Sequence, residues 1–428
     1  MARARGANVS MALAFESTYG VPPASGYTKF PIVTEALGEE QGLIESDLLG
    51  YGREPQAPSQ DVINNEGDVV VPLDLRNFGL WLKALMGAPT STQGVAATGS
   101  YTFSAQPTAN AILTVGGQAF TFVTTTPTAN QIKIGANLAE TVANAVIALN
   151  ASAVAGVAVA SYAANLAGTQ ILITYDVVGT AGNAMTIVAG TSPATNATVS
   201  GATLTGGAAT GPYNHVFQSG ALVLPTFSAE VGMPEVPTYA MNFGAAANTI
   251  AIPLQRSGNL NATIGVIAQG ETRAGATAAG TPATLAIERF SQFSGQIERD
   301  GVPLGDLVSG RFNYSNNMDK VEVIRSDGRI AGVDPGMVAV SGEIVVRFAN
   351  TTLMDLAAAG TPVDLVHRWS IGAGKTLVIR VPKVSLPKPK VPVAGPAGVQ
   401  ATFAWQASQH ATLGKTCIIT LVNDQTTY

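Results

Sequence analysis

The feature that most restricts what this chain can become is an internal repeat. Ile44-Glu45-Ser46-Asp47, followed by Gly52 and Glu54-Pro55, returns as Ile324-Arg325-Ser326-Asp327, followed by Gly332 and Asp334-Pro335, with the same internal spacing. Gly67-Asp68-Val69-Val70-Val71 returns as Gly342-Glu343-Ile344-Val345-Val346. Each is followed by a short helical segment with an N-cap candidate, Asp74 or Asn350, and a terminating glycine, Gly87 or Gly360. The copies close on Ala262-Thr263-Ile264-Gly265-Val266 and Ala401-Thr402-Phe403-Ala404-Trp405, alternating runs that read as half-buried strands. Four matches in one order mean two copies of one unit, each built of several strands with one helix packed on them.

The copies become visible only when residues 92–211 are set aside. Across that stretch the charged side chains are Lys133, Glu140 and Asp176, whereas charge is ordinary on either side. Flexible compositions at 90–94 and 206–211 bracket it. The division is therefore a first unit of 1–91 plus 212–270, an inserted domain at 92–211, a Gly-, Ala- and Thr-rich linker at 271–284, and a second unit at 285–428. Within the insert, apolar runs at 111–115 and 119–123 flank Gly116-Gly117, a hairpin signal. Leu138, Val142, Ala145, Val146 and Leu149 keep helical spacing behind the cap candidate Asn137, and strand-like runs follow at 157–162, 170–175 and 184–188. A small α+β module is expected.

Only 12% of the 428 residues are charged. Small and β-branched residues in place of charge suit packed sheets joined by tight turns, and a protein that covers its surface with copies of itself. The net charge of −5 argues against a protein that grips nucleic acid by neutralising phosphates. The single cysteine, Cys417, removes any intrachain disulfide framework and sits in the apolar run 417–422 as a buried thiol. Arg3 and Arg5 precede an apolar stretch broken by Asn8 and Ser10, with Glu16 close behind, which does not make a signal peptide. No apolar stretch approaches the ~20 residues of a membrane span, so synthesis in the cytoplasm without membrane insertion is expected.

Candidate chemistry fails on spacing. Gly372-Ala373-Gly374-Lys375-Thr376 has the end of a phosphate-binding loop, but Trp369 stands where the motif needs glycine, and a strand-like run follows instead of a helix. A hairpin turn is the reading. His215, His367 and His410 are scattered, and none has a partner at metal-ligand spacing. No Gly-x-Ser-x-Gly elbow occurs, and Glu39-Glu40 reads as a solvated pair. No catalytic residue, cofactor or metal is assigned.

Interaction surfaces are more legible. The stretch 42–66 is long, polar and rich in Gly, Pro and Asn, and a shorter relative lies at 323–341. Both read as arms towards neighbouring subunits, with Ser46, Asp47, Tyr51, Arg53 and Glu54 on the first and Ser326, Asp327, Arg329 and Asp334 on the second. Pro387-Lys388-Pro389-Lys390-Val391-Pro392 reads as an extended edge or loop, with Lys388 and Lys390 as candidate subunit contacts.

With these residues in view, the chain resembles the major tail tube proteins of long-tailed phages and prophages. The likeness is carried by Glu16-Ser17-Thr18-Tyr19-Gly20, 44–55, 66–89 (with Phe78-Gly79-Leu80-Trp81-Leu82), Gln255-Arg256-Ser257-Gly258, Arg289-Phe290-Ser291-Gln292-Phe293, Tyr314-Ser315-Asn316-Asn317 and 386–399. It covers both units but not the insert, which is similar to small decoration modules of virion proteins. The resemblance implies a mainly β fold: two tandem tail-tube domains, each a β-sandwich or barrel with a flanking helix, beside the α+β insert. It further implies rings whose inner sheets join into one barrel and which stack through long loops. Six-domain rings and two domains per chain give a trimeric, pseudo-hexameric ring. The partners implied are the chain itself, the tape-measure protein and then genomic DNA in the lumen, the tail terminator and distal tail or baseplate proteins. The location would be the virion tail, and the role genome delivery through a passive conduit with acidic walls. The competing reading, a fibre or adhesin, requires exposed aromatic clusters in the insert, where Tyr101, Phe103, Phe120, Phe122, Tyr162 and Tyr175 lie mostly in strand-like contexts.

Overall fold

The computed structural model describes residues 3–393, 395–396 and 398–428. Met1 and Ala2, in the segment weighed as a signal peptide, and Ala394 and Ala397, in the 386–399 stretch that carries part of the resemblance, lie outside the described residues. The first copy of the unit supplies β1 (Ser10–Phe15), β2 (Gly38–Ile44, preceded by the short strand Thr34–Glu35), β3 (Ser59–Pro72), α1 (Phe78–Met86) and β4 (Thr90–Val95). After a segment containing α2 (Leu138–Asn150) come β5 (Ala208–Gln218), β6 (Phe227–Met233), β7 (Thr238–Leu254), β8 (Asn261–Ala268) and β9 (Gly270–Ala274). The second copy supplies β10 (Gly295–Arg299), β11 (Leu307–Ser315), β12 (Ala339–Arg347), α3 (Thr352–Ala359), β13 (Val363–Gly372), β14 (Lys375–Ser385), β15 (Gln400–Ala407) and β16 (Ile418–Asn423).

Eight of these strands run edge to edge as one antiparallel sheet in the order β2, β3, β8, the C-terminal part of β7, β11, β12, β15 and the end of β14. It is the same four-strand sheet twice. Glu35 pairs with Val69 and Gly38 with Glu66 in the first copy; Gly310 pairs with Ile344 and Asn313 with Ser341 in the second, so one constant offset in numbering carries every position of the first ladder onto the second. Val69 opposes Ile264 as Ile344 opposes Phe403, and Ala246 opposes Ile267 as Ser385 opposes Gln406. Strands β7 and β8 therefore recur as β14 and β15, again at one constant offset, shorter than the first because the insert intervenes only once. Side chains alternate as a pleat requires: in β15, Ala401, Phe403 and Trp405 are buried while Thr402, Ala404 and Gln406 are exposed.

Backbone register also corrects part of the repeat. Ile44 pairs with Ser59 as Asp319 pairs with Asp334, at the offset that relates the rest of the ladder, so the structural counterpart of Ile44 is Asp319 and not Ile324. Hydrogen-bond register fixes the equivalence, whereas Gly, Pro and Asp recur in loop tips because any turn selects them. The stretch 42–66 is largely a β-hairpin rather than a loop, and only 45–58 lies beyond its pairing. Its strands are held by backbone bonds and carry few apolar side chains, which hides them from periodicity. The segment read as a linker at 271–284 opens within β9, which pairs with 239–243. Asp74 and Asn350 lie just ahead of their helices: Asn77 and Thr351 hold the N-cap positions, while Asp74 Oδ1 accepts from the amides of Arg76 and Asn77, each at 2.7 Å. Gly87 and Gly360 end the helices at φ 88° and 64°.

A second layer packs behind the long sheet: β1, β6, the N-terminal part of β7 and β9 behind the first copy, and behind the second copy β10, β13, β14 and β16, extended by β5 and β4 of the first. One hydrophobic cluster fills both sandwiches, so the fold is mainly β with two tandem sandwiches, as expected. Helix α1 buries Trp81 edge-on against Phe30 and Phe227, with centroids at 5.5 and 5.8 Å. Residues of the second copy clasp it: Asn316 Nδ2 donates to the Leu85 carbonyl (2.9 Å), the Tyr428 hydroxyl donates to the Arg76 carbonyl (2.8 Å), and Arg76 grips Asp424 at 2.6 and 2.7 Å.

Residues 97–204 have their own core, two four-stranded sheets with α2 between chain segments 131–133 and 160–164. Asn137 caps α2 by accepting from the Glu140 amide, and Val115 pairs with Gln118 around the Gly116-Gly117 turn. Tyr101, Phe103, Phe120, Phe122 and Tyr162 are buried in it and Tyr175 is half-buried. The module touches the second unit where the Ala164 amide donates to the Gly301 carbonyl at 2.9 Å.

His367 is fully buried among Phe312, Trp369 and Trp405, and burial lowers its pKa to about 4. The unfolded chain takes up this proton near pH 6.5 and the folded chain does not. Stability is therefore fully present above pH 6.5 and falls as pH drops towards 4, by about 3 kcal/mol at most. Urea unfolding across that range should show the slope, and His367→Gln should flatten it; an unchanged slope in the variant would assign it to other groups.

Candidate functional site

The two faces of the eight-strand sheet differ sharply. One carries Val69, Ile250, Ile264, Phe312, Ile344 and Phe403 into the core. The other carries mostly small neutral side chains, such as Thr249, Thr263, Asn313 and Thr402, none of them buried. Such a face is hydrated but offers little to grip.

The exposed charges on its strands are few, and four are informative. Asp68 and Glu343 occupy the same place in the two copies, each on the second strand of its four-strand sheet. Arg311 stands directly across the ladder from Glu343, whereas its counterpart Ala36 stands beside Asp68. Glu40 ends the row on β2, at the sheet's outer edge. Gly265 separates Asp68 from Thr249, and a side chain there would strike the Thr249 hydroxyl.

The arms lie side by side at one end of this sheet. Ser46, Asp47, Tyr51, Arg53 and Glu54 sit on the tip of the β2–β3 hairpin, all exposed except the half-buried Ser46. Exposed apolar neighbours Leu48 and Leu49 accompany them. In the second arm, Ser326 and Asp327 are exposed beside a fully exposed Ile324, and Arg325 at 2.8 Å holds the Asp327 carboxyl well below the usual carboxylate range. Asp334 is exposed in a short ladder opposite Asp319. Arg329 turns back into the chain, pairing with Glu39 at 2.9 Å and donating to the Glu271 carbonyl at 3.1 Å. The Ile63 amide donates to the Gly328 carbonyl (2.9 Å) and Lys320 pairs with Glu66 (2.9 Å), so the arms brace each other. Lys388 and Lys390 lie apart from both arms, exposed beyond the end of β14.

The arrangement therefore brings Arg329 onto the first arm, leaves the other arm residues at exposed tips, and puts the two lysines at the opposite edge of the sheet. Asp68, Glu343, Glu40 and Arg311 escaped sequence reasoning. The Gly67-Asp68 and Gly342-Glu343 repeat contained the pair, but not the face it occupies. His215, a candidate ligand by type, bonds within the chain to Ser91, Asn423 and the Gln425 carbonyl. The Gly372–Lys375 turn closes the β13–β14 hairpin. Among the described residues no group of three His, Cys, Asp or Glu side chains is placed to hold a metal, and no helix is long and apolar enough to cross a membrane.

Comparison with known proteins agrees with this architecture. A family model described as phage tail tube protein matches twice in tandem, at residues 6–214 and 184–407. No curated protein matches the chain. The tandem matches span both copies of the duplicated sandwich, and the chain belongs to the phage tail tube protein family, structural proteins of the virion tail.

Proposed function

We propose that three copies of this chain close into a ring and that rings stack into a hollow conduit for genome delivery, with the open sheet face turned to the lumen. The observation that carries this reading is the eight-strand sheet itself: two equivalent four-strand sheets joined edge to edge, with an edge at each end that pairs with no strand among the described residues. Edges of this kind invite pairing, and closing the sheet on itself removes them. Three chains would supply six units, with threefold symmetry because the two copies differ in their arms and only one carries an insert.

The arms, with Leu49 and Ile324 exposed at their tips, would meet the next ring along the axis, and such head-to-tail contacts extend into a filament. Residues 92–211 would project outward, since their stalk β4–β5 joins the layer on the far side of the core from the open face. Six carboxylates, Asp68 and Glu343 from each chain, would circle the lumen and keep nucleic acid from adhering. The tape-measure protein before ejection, and genomic DNA during it, would occupy that space. The terminator and distal tail proteins would cap its ends, after synthesis in the host cytoplasm.

Electron microscopy of the concentrated protein, alone and with a tail-tip initiator, tests the reading. Hollow filaments with threefold rings are expected. Six chains per ring would refute the trimer, and particles that stay unassembled with initiator present would refute the tube assembly.

A further inference from the structure

The joint between the two copies contains instructions for the joint between two chains. Inside the chain, Thr249–Leu254 of β7 pairs with Gly310–Ser315 of β11: Thr249 opposes Ser315 and Leu254 opposes Gly310. The offset that carries Ala246 onto Ser385 carries 249–254 onto 388–393, where Ile252-Pro253-Leu254 becomes Val391-Pro392-Val393. The offset that carries Gly310 back onto Glu35 carries 310–315 back onto 35–40. We infer that residues 388–393 of one chain pair antiparallel with 35–40 of the next, with Lys388 opposite Glu40, Lys390 opposite Gly38 and Val391 opposite Leu37. This rests on the ring reading above and assigns its register.

Three independent observations fit. First, the hydrogen-bonding directions agree. Asn316 donates to the Asn248 carbonyl, so even-numbered residues of β7 face the joint, which makes 389, 391 and 393 the corresponding set. On the other strand Ala36 donates to the Asp68 carbonyl, so Glu35, Leu37 and Glu39 point their amides outward; the Glu39 amide already donates to the Glu271 carboxylate at 3.2 Å, which leaves Glu35 and Leu37 to meet 393 and 391. Second, the charges are complementary. Lys388, Lys390 and Glu40 are exposed, without ion-pair partners among the described residues, and the copied register sets them on the same face and within reach. Third, α1 is covered at the internal joint by Asn316 and Tyr428, whereas α3 buries only Leu353, leaving the equivalent surface open in a lone chain.

Prolines set the character of this joint. Pro389 takes the place of Ile250 and accepts but cannot donate, so the joint keeps fewer backbone bonds than its internal counterpart and leans on the lysine–glutamate contacts. Lysine and proline on that edge also discourage pairing with unrelated strands.

Zero-length carbodiimide coupling of the unmodified protein, mixed from light and 15N-labelled chains, tests the register. In filaments, Lys388 or Lys390 should form an amide with Glu40 between differently labelled chains, and dilute unassembled protein should not. As a second measurement, Lys388→Cys with Glu40→Cys should oxidise to a covalent ladder that closes at the trimer. The pair Lys388→Cys with Glu39→Cys, whose side chains point to opposite faces, should cross-link far less. Filaments in which the lysines couple elsewhere, or in which the Glu39 pair links better, overturn the register while leaving the tube intact. Unmodified protein that never assembles with initiator overturns the tube reading, and this joint with it.

Discussion

Gly342→Val is expected to leave the second sandwich unable to form, and Gly67→Val to destabilise the first. A Cβ at Gly342 would collide with the Arg311 carbonyl and come to 2.5 Å of Trp405 Cζ2; one at Gly67 would collide with the Ala36 carbonyl. Ala36 and Arg311 are themselves equivalent positions, so the same close approach occurs at the same place in both copies. Overpacking a core ordinarily costs about 1–3 kcal/mol because side chains can shift. Here the obstacle is backbone: Arg311 lies on β11, which can move only by breaking the ladder on both of its sides, whereas Ala36 lies on the edge strand and can move by breaking one, so the Gly67 variant should lose less. A loss of about 5 kcal/mol is expected for Gly342→Val, a large share of the stability of a sandwich this size. Thermal unfolding of the soluble fraction checks it, with Gly305→Val as the control, since Gly305 has open space around its missing Cβ. If Gly342→Val unfolds within a few degrees of the unsubstituted chain, the close approach is not a constraint on the fold.

These glycines also show which parts of the structure were legible in advance. Gly67-Asp68-Val69 and Gly342-Glu343-Ile344 were readable as repeats because burial alternates along them and the glycine is required at a fixed place. The hairpin arms were less readable: 59–66 pairs through its backbone while its side chains are mostly polar, with only the adjacent Val62 and Ile63 apolar, so no apolar period marks it. The match of 44–47 with 324–327 failed for a related reason, since loop tips share turn residues without sharing register. Lys388 and Lys390 stood out by composition, but Glu40, their complement in the proposed joint, looked like one solvated carboxylate among many. Only register, which sequence spacing does not contain, leads to the proposal that sets them on matching edges. Arg329 looked like a free contact residue because its partner Glu39 is far away in sequence.

Under the proposed ring, replacing both Asp68 and Glu343 by lysine should turn a tube that does not hold DNA into one that does. Both side chains are exposed on the open face, so the fold and the ring joint should survive. Each substitution changes the charge by two, moving the chain from −5 to −1 and a three-chain ring by twelve. Each phosphate so engaged makes binding fall with salt at a slope of about 0.9 in log–log terms. Three or four engaged phosphates would weaken retention by tens of fold to roughly a hundredfold between about 50 and 200 mM salt. Of the single variants, Glu343→Lys should act more strongly, because Arg311 across the ladder then loses its opposing charge and joins the attraction. Co-sedimentation of assembled tubes with labelled oligonucleotide measures this. The neutral pair Asp68→Asn with Glu343→Gln separates lost repulsion from new attraction and should retain little DNA. Lysine-bearing tubes that assemble normally yet retain no more DNA than unsubstituted ones would place these carboxylates away from the lumen and require the open face of the sheet to point elsewhere.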